Sequence, residues 1–289
     1  MSETVIGVIG GSGFYSMSGL ERIEQIDLDT PFGAPSDTFY RGHLGEVRVV
    51  FLARHGRGHR LLPTEINFRA NIYGMKQLGV ERLVSVSSAG SMREDLHPGD
   101  FLVPDQFIDR TYKRPQSFFG NGVVGHVSLA DPVCPNLSAT LTTAGQEAGA
   151  RIRNGGVYLC IEGPQFSTRA ESTLYRSWKV DVISMTAMQE ARLAREAELC
   201  YAVMALVTDY DCWHQEQREV DIGSILRVLS ENVAVAQRTV AKLAPILAGT
   251  PRTCACGHAL KDAIITDRAM IPRKVAADLH LLIGKYLNQ

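Results

Sequence analysis

The segment 4–13, Thr-Val-Ile-Gly-Val-Ile-Gly-Gly-Ser-Gly, decides the fold class. Its first six residues, Thr4 to Ile9, form an apolar run rich in β-branched side chains, which predicts a strand covered on both faces. The strand ends in Gly10-Gly11-Ser12-Gly13, a turn whose main-chain N–H groups can hold an anion. A strand that is buried on both faces belongs to a sheet with helices on its two sides.

Strand and helix patterns alternate along the rest of the chain. Strands are predicted at residues 4–9, 38–43, 47–53, 82–87, 101–103, 106–108, 157–161, 182–184 and 201–207. Helices are predicted from the cap Thr64 to Gly79, at 135–148, 167–178 and 189–197, and from the cap Asp221 through about Val240. We therefore predict a single-domain α/β fold with a central mixed, mostly parallel β-sheet flanked by helices.

The composition shifts near Gly249-Thr250-Pro251, and this position divides the predicted domain from a predicted tail. Residues 251–289 carry six basic and three acidic side chains, against a net charge of -1 for the whole chain. Two short helices are expected there, the second carrying Val275, Leu279, Leu282 and Tyr286. A unit of this size hardly folds alone. We therefore predict a domain over 1–250 and a helical arm over 251–289, packed on that domain or on a neighbouring subunit.

Charge and hydropathy exclude several classes of function. The 289 residues include 30 basic and 31 acidic side chains, so no electrostatic footprint for nucleic acid or an anionic membrane is present. The hydrophobic content of 45% is that of a globular protein. No apolar run approaches the roughly 18 residues of a membrane span, and no basic leader precedes the first strand. We expect a cytoplasmic protein that binds a small molecule.

The cysteines indicate a reducing compartment. Four of them lie in apolar or mixed segments and are predicted to be small core residues: Cys134, Cys160, Cys200 and Cys212. Cys254 and Cys256 form a Cys-x-Cys pair beside His258, and these three residues supply at most three of the four ligands of a zinc site. We therefore predict no metal site. The pair is either two reduced thiols or a strained or regulatory disulfide.

Small and hydroxylated residues recur where the predicted strands end, which is where ligands bind in open α/β sheets. The segments are 10–13 (Gly-Gly-Ser-Gly), 87–91 (Ser-Ser-Ala-Gly-Ser), 185–186 (Met-Thr) and, after the hairpin, 54–57 (Arg-His-Gly-Arg). Hydroxyls, main-chain N–H groups and a guanidinium suit a phosphate, although each segment alone is also compatible with an ordinary tight turn.

Motifs of other phosphate-binding and catalytic classes are missing. Gly11-Ser12-Gly13 is followed by Phe14, Tyr15 and Ser16, where the dinucleotide fingerprint needs a third small residue. The Gly-Lys-Ser/Thr of a nucleotide triphosphate loop and the Gly-x-Ser-x-Gly of serine hydrolases are both absent. The glycines between His55 and His59 argue against a rigid metal-binding pair. Free inorganic phosphate is the favoured anion.

Two carboxylates follow the most apolar strand, in Thr208-Asp209-Tyr210-Asp211-Cys212-Trp213. A solvated turn is one interpretation, because aspartate is common in turns. The neighbouring aromatic residues favour burial instead. Burial and a second carboxylate raise the pKa of an aspartate, so that it can act as a general acid near neutral pH.

Six ordered segments together closely resemble the S-methyl-5'-thioadenosine phosphorylases, which belong to the trimeric purine nucleoside phosphorylases. They are 10–13, 30–33 (Thr-Pro-Phe-Gly), 54–57, 105–118 (Asp-Gln-Phe-Ile-Asp-Arg-Thr, then Arg-Pro-Gln-Ser-Phe), 161–167 (Ile-Glu-Gly-Pro-Gln-Phe-Ser) and 208–213. The resemblance runs from about Val5 to Leu247. It implies that the 1–250 domain is a nucleoside phosphorylase domain.

The resemblance also implies roles for individual residues. The phosphate ligands would be Ser12, Arg54, His55, Ser87, Ser88 and Thr186. The nucleoside would be bound by Phe166 on the base, Met185 under the ribose, Asp209 and Asp211 at the purine, and Ile222 and Ile225 at the methylthio group, with Ser167 and Ile222 setting specificity. His126 would be contributed to the site of a neighbouring subunit.

The implied reaction is phosphorolysis of S-methyl-5'-thioadenosine, with Asp209 as the acid at purine N7 and Asp211 accepting from the exocyclic amine. Phosphate is the co-substrate, and neither cofactor nor metal is expected. A homotrimer or a dimer of trimers is implied. The alternatives are a phosphorylase for S-methyl-5'-thioinosine or for ordinary purine nucleosides, and a nucleoside- or NAD-binding module without catalysis.

The chain departs from the family pattern in a few places. Ser12, Ser87 and Ser88 stand where many relatives have threonine or alanine, which keeps or adds hydroxyls, and Ala89-Gly90 replaces the more usual Cys-Gly. The arm has no counterpart in the animal enzymes. Its Cys-x-Cys resembles a feature of some prokaryotic relatives, in which the pair forms a disulfide.

Overall fold

A computed structural model describes residues 4–214 and 222–287, and within these it contains one sheet and seven α-helices. The strands are β1 (Val5–Gly10), β2 (Leu20–Ile26), β3 (Phe39–Leu44), β4 (Val47–Ala53), β5 (Arg82–Ser91), β6 (Phe101–Val103), β7 (Gln106–Arg110), β8 (Ile152–Asn154), β9 (Val157–Ile161), β10 (Val182–Ser184) and β11 (Cys200–Tyr210). The helices are α1 (Phe68–Gln77), α2 (Pro135–Glu147), α3 (Arg169–Ser177), α4 (Ala187–Glu196), α5 (Ile222–Ala248), α6 (Arg273–Asp278) and α7 (His280–Leu287).

The sheet has eleven strands, with the order β2-β3-β4-β1-β5-β10-β9-β7 along its main path. A branch leaves β5 through β11 to β6 and β8. The inner strands β4, β1, β5 and β11 run parallel, whereas β2, β3 and β4 form an antiparallel meander. The predicted fold, a mixed and mostly parallel sheet with flanking helices, is confirmed.

Alternation along the buried strands gives each face of the sheet its own core. In β1, Val5 and Ile9 pack into one cluster of buried residues, whereas Ile6 and Val8 pack into another on the opposite face. Gly7 lies between them, and a Cβ there would lie 2.8 Å from Val80 Cγ1. This close packing explains why the apolar run of β1 is interrupted by glycine.

The structure corrects several predicted boundaries. The predicted turn at 89–91 is the continuation of β5, because β11 pairs with it as far as Ser91 and β10 pairs with it from the other side. Helix α1 is capped by Asn67, whose side chain accepts from the N–H of Ala70, and not by Thr64. Two strands, β2 and β8, were not predicted. The predicted cap Asp221 lies outside the described residues.

The residues after 250 pack against the rest of the chain through polar contacts. Glu198, which is buried, accepts hydrogen bonds from the N–H of Leu260 (3.1 Å) and the hydroxyl of Tyr286 (2.5 Å). The predicted second helix of the arm is divided into α6 and α7. The division into a domain and an arm stays a prediction. Among the described residues, no helix is both long and apolar enough to span a membrane.

Candidate functional site

The carboxyl ends of β1, β4, β5 and β11 meet at one edge of the sheet because these strands are parallel. The turn after β1 and the segment after β4 are joined directly, since the N–H of Arg54 donates to Gly10 O at 2.9 Å. Ser12 opens a short 3-10 helix, Ser12–Ser16, at this edge. The side chain of Ser12 lies outside the described part of the structure.

Arg54 is buried at this edge and is almost fully hydrogen-bonded. Its Nε donates to Glu190 Oε1 at 2.5 Å, and its two terminal nitrogens donate to Val86 O, Ser85 Oγ and Ile9 O at 2.9, 2.7 and 3.2 Å. These bonds leave one N–H of the guanidinium for a ligand. Sequence reasoning missed Glu190, which is 136 residues away and neutralises the charge predicted to hold phosphate.

His55 follows Arg54 and is held in one tautomer. Its Nδ1 lies 2.8 Å from Leu61 O, and because a carbonyl oxygen only accepts, Nδ1 carries the proton and donates. Burial, together with a smaller effect of the nearby charge of Arg54, lowers the pKa of His55 to about 4. The ring is therefore neutral at pH 7, and its Nε2 can accept a hydrogen bond from the O–H of a monoprotonated phosphate.

A group of hydroxyls lies where β5 and β10 run side by side. Ser87 Oγ lies 3.3 Å from Ser184 Oγ, and Ser184 Oγ donates to Ser88 O at 2.7 Å. Thr186 is at the N-cap of α4, is 3% exposed and makes no capping bond with its side chain. The structure thus brings Ser87, Ser88 and Thr186 to the same junction, with Ser184 as a further hydroxyl that sequence reasoning did not single out.

Asp209 lies just after an irregularity in β11 that redirects its side chain. The pairing of β11 with β5 shifts register between Val207 and Asp209, which is the signature of a β-bulge. The carboxyl lies over Gly90, where an added Cβ would be 3.2 Å from Asp209 Oδ2. Burial, against an opposing hydrogen bond from Thr208 and with a smaller contribution from the neighbouring Asp211, raises the pKa of Asp209 to about 6. The predicted rise in pKa is confirmed.

Asp211 is more deeply buried than Asp209, at 3% exposed. Its Oδ2 makes no hydrogen bond of good geometry with a described residue. Burial raises the pKa of its carboxyl, and the neighbouring hydroxyl of Ser172 opposes the rise. A buried carboxyl oxygen without a donor is costly unless a ligand supplies one. The turn around it is held by Trp213, whose Nε1 donates to Ser91 O at 2.8 Å, and by Cys212, whose Sγ lies 3.2 Å from Ser167 O. These contacts explain the Cys-Trp sequence that follows the carboxylates.

A second loop, 162–167, leads from β9 to the candidate base-binding residue Phe166. Phe166 is 46% exposed, whereas the Oγ of Ser167 is buried and makes no hydrogen bond with a described residue. Gly163 has φ +67° and leaves room for Met185, since a Cβ would lie 2.5 Å from its Sδ. The loop is therefore packed directly on Met185.

Arg114 fixes this loop against α4, a role that sequence reasoning did not assign. Its guanidinium is buried and donates to Gln189 Oε1 at 2.8 Å. It also donates to the main-chain oxygens of Met185 and Glu162. Arg114 belongs to the Arg-Pro-Gln-Ser-Phe segment on which the family resemblance partly rests. The sequence did not reveal its role, because its hydrogen-bond partners lie 48 to 75 residues away.

The structure does not bring three of the predicted site residues, His126, Ile222 and Ile225, together with the others. His126 is exposed, and its N–H donates to Ala263 O at 2.8 Å, beside the residues after 250. Ile222 and Ile225 belong to the first turns of α5, but their side chains lie outside the described part of the structure.

One group of side chains among the described residues could hold a metal ion, and it is not at this edge. The Sγ atoms of Cys134, Cys200, Cys254 and Cys256 all lie within 4.8 Å of one another. Cys200 starts β11 and Asp209 is near its end, so about 30 Å separate the two. The prediction of no metal site rested on treating Cys134 and Cys200 as core residues far from Cys254 and Cys256. This assumption is wrong, because the four thiols lie together.

The part of the chain that contains the candidate site is similar to known proteins. A family profile described as the phosphorylase superfamily matches residues 5–248. The chain belongs to this superfamily. The family predicted from the sequence motifs is thereby confirmed.

Two relatives and one solved structure illustrate the similarity of this chain to known proteins. The S-methyl-5'-thioadenosine phosphorylase of Geobacter sulfurreducens is 58% identical over 286 residues, which cover 99% of this chain and 100% of that protein. The protein of the same name from Koribacter versatilis is 53% identical, over 99% of this chain and 98% of that protein. A crystal structure of a methylthioadenosine phosphorylase from an antarctic soil metagenomic library superposes with a TM-score of 0.93 at 43% identity, covering 98% of this chain and 99% of that one.

Proposed function

We propose that the protein catalyses the phosphorolysis of S-methyl-5'-thioadenosine, giving adenine and S-methyl-5-thio-α-D-ribose 1-phosphate. The observation that carries this proposal is the pair of buried carboxyl groups at the end of β11, Asp209 and Asp211, at the sheet edge that also presents Ser87 and Thr186. The names of relatives that are 43 to 58% identical support the same reaction. The proposed reaction serves the salvage of purines and methionine.

Phosphate would be bound by hydroxyls, by main-chain N–H groups at the turns and by the N-terminus of α4. Ser12, Arg54, His55, Ser87, Ser88 and Thr186 are the proposed ligands. The anion stabilises the oxocarbenium-like charge that develops on the sugar and then attacks the anomeric carbon. A neutral His55 favours binding of hydrogen phosphate, whose O–H donates a hydrogen bond to Nε2.

Asp209 would protonate N7 of the purine as the glycosidic bond breaks. A carboxyl group with a pKa of about 6 keeps a useful protonated fraction near neutral pH, which an ordinary aspartate does not. Asp211 would accept from the exocyclic amine through its unbonded Oδ2. A pair of carboxyl groups suits the amine donor of adenine and opposes the carbonyl oxygen of 6-oxopurines, which argues against the phosphorylases for S-methyl-5'-thioinosine or for 6-oxopurine nucleosides.

The remaining substrate contacts are proposed from the family resemblance and from where the side chains lie. The exposed ring of Phe166 would pack on the base, and Met185 would lie under the ribose. Ile222 and Ile225 would bind the methylthio group, with Ser167 and Ile222 setting specificity. Phosphate is a co-substrate. The residues proposed at the site bind phosphate, contact the nucleoside and protonate the base, so the proposed reaction uses no organic cofactor.

Adenine should be released from S-methyl-5'-thioadenosine only when inorganic phosphate is present. The measurement is chromatographic analysis of free base and sugar phosphate, with adenosine, S-methyl-5'-thioinosine and inosine as parallel substrates. Release at the same rate without phosphate would identify a hydrolase. No release with any of the four nucleosides would favour a binding module.

We also propose a homotrimer, or a dimer of trimers, in which His126 reaches the site of a neighbouring chain. The support is that His126 is exposed and is held by a main-chain bond to Ala263. Sedimentation should give a multiple of three chains, and His126→Ala should raise KM for the nucleoside without changing the sedimentation coefficient. A monomer of full activity would contradict this assembly. The cytoplasmic location stays a prediction.

A further inference from the structure

The four cysteines Cys134, Cys200, Cys254 and Cys256 form one compact group that the proposed reaction does not use. They come from three separate places: the N-cap of α2, the first residue of β11, and the Cys-x-Cys turn after 250. Three of the four are buried, and all four are free thiols. We propose that this group binds one zinc ion, which fastens the residues after 250 to the sheet.

The sulfur atoms are close enough together for a tetrahedral thiolate site. A Zn–S distance of about 2.3 Å places the four ligand sulfurs about 3.8 Å apart. All of the sulfur–sulfur distances here are within 4.8 Å, and Cys200 Sγ lies 3.3 Å from Cys254 Sγ. Bringing the sulfur atoms to the roughly 3.8 Å spacing of a zinc site therefore requires shifts of up to about half an ångström for each atom. Four sulfur ligands in a tetrahedron select zinc among the common divalent ions.

The charges around the group favour thiolates. Arg252 Nε donates to Cys200 Sγ at 3.2 Å, and one terminal nitrogen of Arg195 lies 3.8 Å from Cys256 Sγ. Zinc binding releases one proton from each thiol and leaves a complex of net charge -2, which two guanidinium groups offset. Neutral disulfides would gain no comparable stabilisation from these cations, so the surroundings favour a metal site over two disulfides.

An entry route for the ion is present. A surface cavity of about 30 Å³ is lined by Cys134, Cys200 and Cys254, together with Arg252. This is room for about one water-sized species, so a zinc ion must exchange its hydration water for sulfur as it enters the cavity. His258 is exposed and is not part of the group, and Cys134 and Cys200 complete the set of four ligands instead.

The site would hold more than the Cys-x-Cys turn. The chain that follows it supplies Ala263 O to the N–H of His126, and Ile264 pairs with Gly125 in an isolated bridge. A metal at the start of this segment therefore keeps the loop around His126 in place. The role is structural, because the ligands are all protein sulfurs and leave no open position for a substrate.

Elemental analysis of the full-length, untagged protein, purified without added metal, should find about one zinc per chain. Titration with an organomercurial should release that zinc as about four thiols react. Cys254→Ser and Cys256→Ser should each reduce the zinc content at least about tenfold. The control Cys212→Ser removes a thiol outside the group and should keep the full content.

Two results would overturn the proposal. One is protein with four free thiols and no zinc, and the other is non-reducing mass analysis that finds the group as disulfides after purification without reductant. If the serine variants do not fold, wild-type protein grown with cobalt decides the question. Cobalt bound by four thiolates shows intense sulfur-to-metal absorption, and its absence contradicts the site. The result is independent of catalysis, so it stands or falls separately from the proposed reaction.

Discussion

Asp209→Asn should lower kcat/KM for S-methyl-5'-thioadenosine by at least about tenfold, and by as much as 10²–10⁴-fold if protonation limits the rate. Asparagine has nearly the same shape but cannot give up a proton to N7. The measurement is steady-state kinetics at saturating phosphate. Asp29→Asn, at an exposed position, is the matched control and should leave the rate unchanged. Unchanged turnover in Asp209→Asn would refute the role of Asp209 as the acid.

The pH dependence provides a second readout of the same group. Because burial raises the pKa of Asp209 to about 6, its acidic form is present below pH 6 and is lost as the pH rises above it. The ratio of wild-type to variant kcat/KM cancels the ionisation of phosphate itself. That ratio should be flat below about pH 6 and should fall above it. A ratio that does not change with pH would mean that Asp209 acts only by position.

The loss of activity in Asp209→Asn should not come from unfolding. A folded-state pKa above the ordinary value of 3.8 means that the carboxyl favours the fold at low pH, and that this contribution is lost as the pH rises through about 6. The neutral amide does not incur this loss. The melting temperature of the variant should therefore equal or exceed that of the wild type above pH 6.

The same substitution should change the choice of base. An asparagine amide can donate to the carbonyl oxygen of a 6-oxopurine, whereas the carboxylate form of aspartate repels it. We expect kcat/KM for inosine or S-methyl-5'-thioinosine to rise relative to that for S-methyl-5'-thioadenosine. An unchanged ratio would place the specificity in Asp211 or in loop 162–167 instead.

The strands that the sequence predicted best are those whose own side chains are buried. The strands β9 and β10 have the predicted bounds, and β1 differs by one residue at each end, because their apolar runs are interrupted by turns. β2 has no buried residue, and β8 has only one, Ile152. Such strands are defined by hydrogen bonds to a neighbouring strand, β3 for one and β6 for the other. A local pattern carries no information about that neighbour.

The candidate site shows the same division. The two carboxylates, the hydroxyls of β5 and the exposed Phe166 could be found from motifs, because their types already suggest chemistry. The partners that set their properties could not. Glu190 is 136 residues from Arg54, and the four cysteines span 134 to 256, so only the folded chain brings either set together. Glu190, Arg114 and Ser184 were missed for this reason.

Arg54→Met should destabilise the fold by about 3–5 kcal/mol, because it leaves the buried carboxylate of Glu190 without its cation. Both side chains are nearly inaccessible, at 4% and 1% exposed, so water cannot replace the lost partner. The measurement is denaturant unfolding at one fixed protein concentration. The control Arg151→Met breaks a pair with Asp100 in which the arginine is 71% exposed, and it should cost less than about 1 kcal/mol.

The double variant Arg54→Met/Glu190→Met separates support of the fold from phosphate binding. Removing both charges should recover most of the lost stability, because no unpaired ion is left in the core. If the last free N–H of Arg54 binds phosphate, KM for phosphate should still rise about 10- to 100-fold, the value of one charge-assisted hydrogen bond. KM for the nucleoside should change less. A double variant with the wild-type KM for phosphate would show that Arg54 only supports the turn, and that hydroxyls and main-chain N–H groups bind the anion alone.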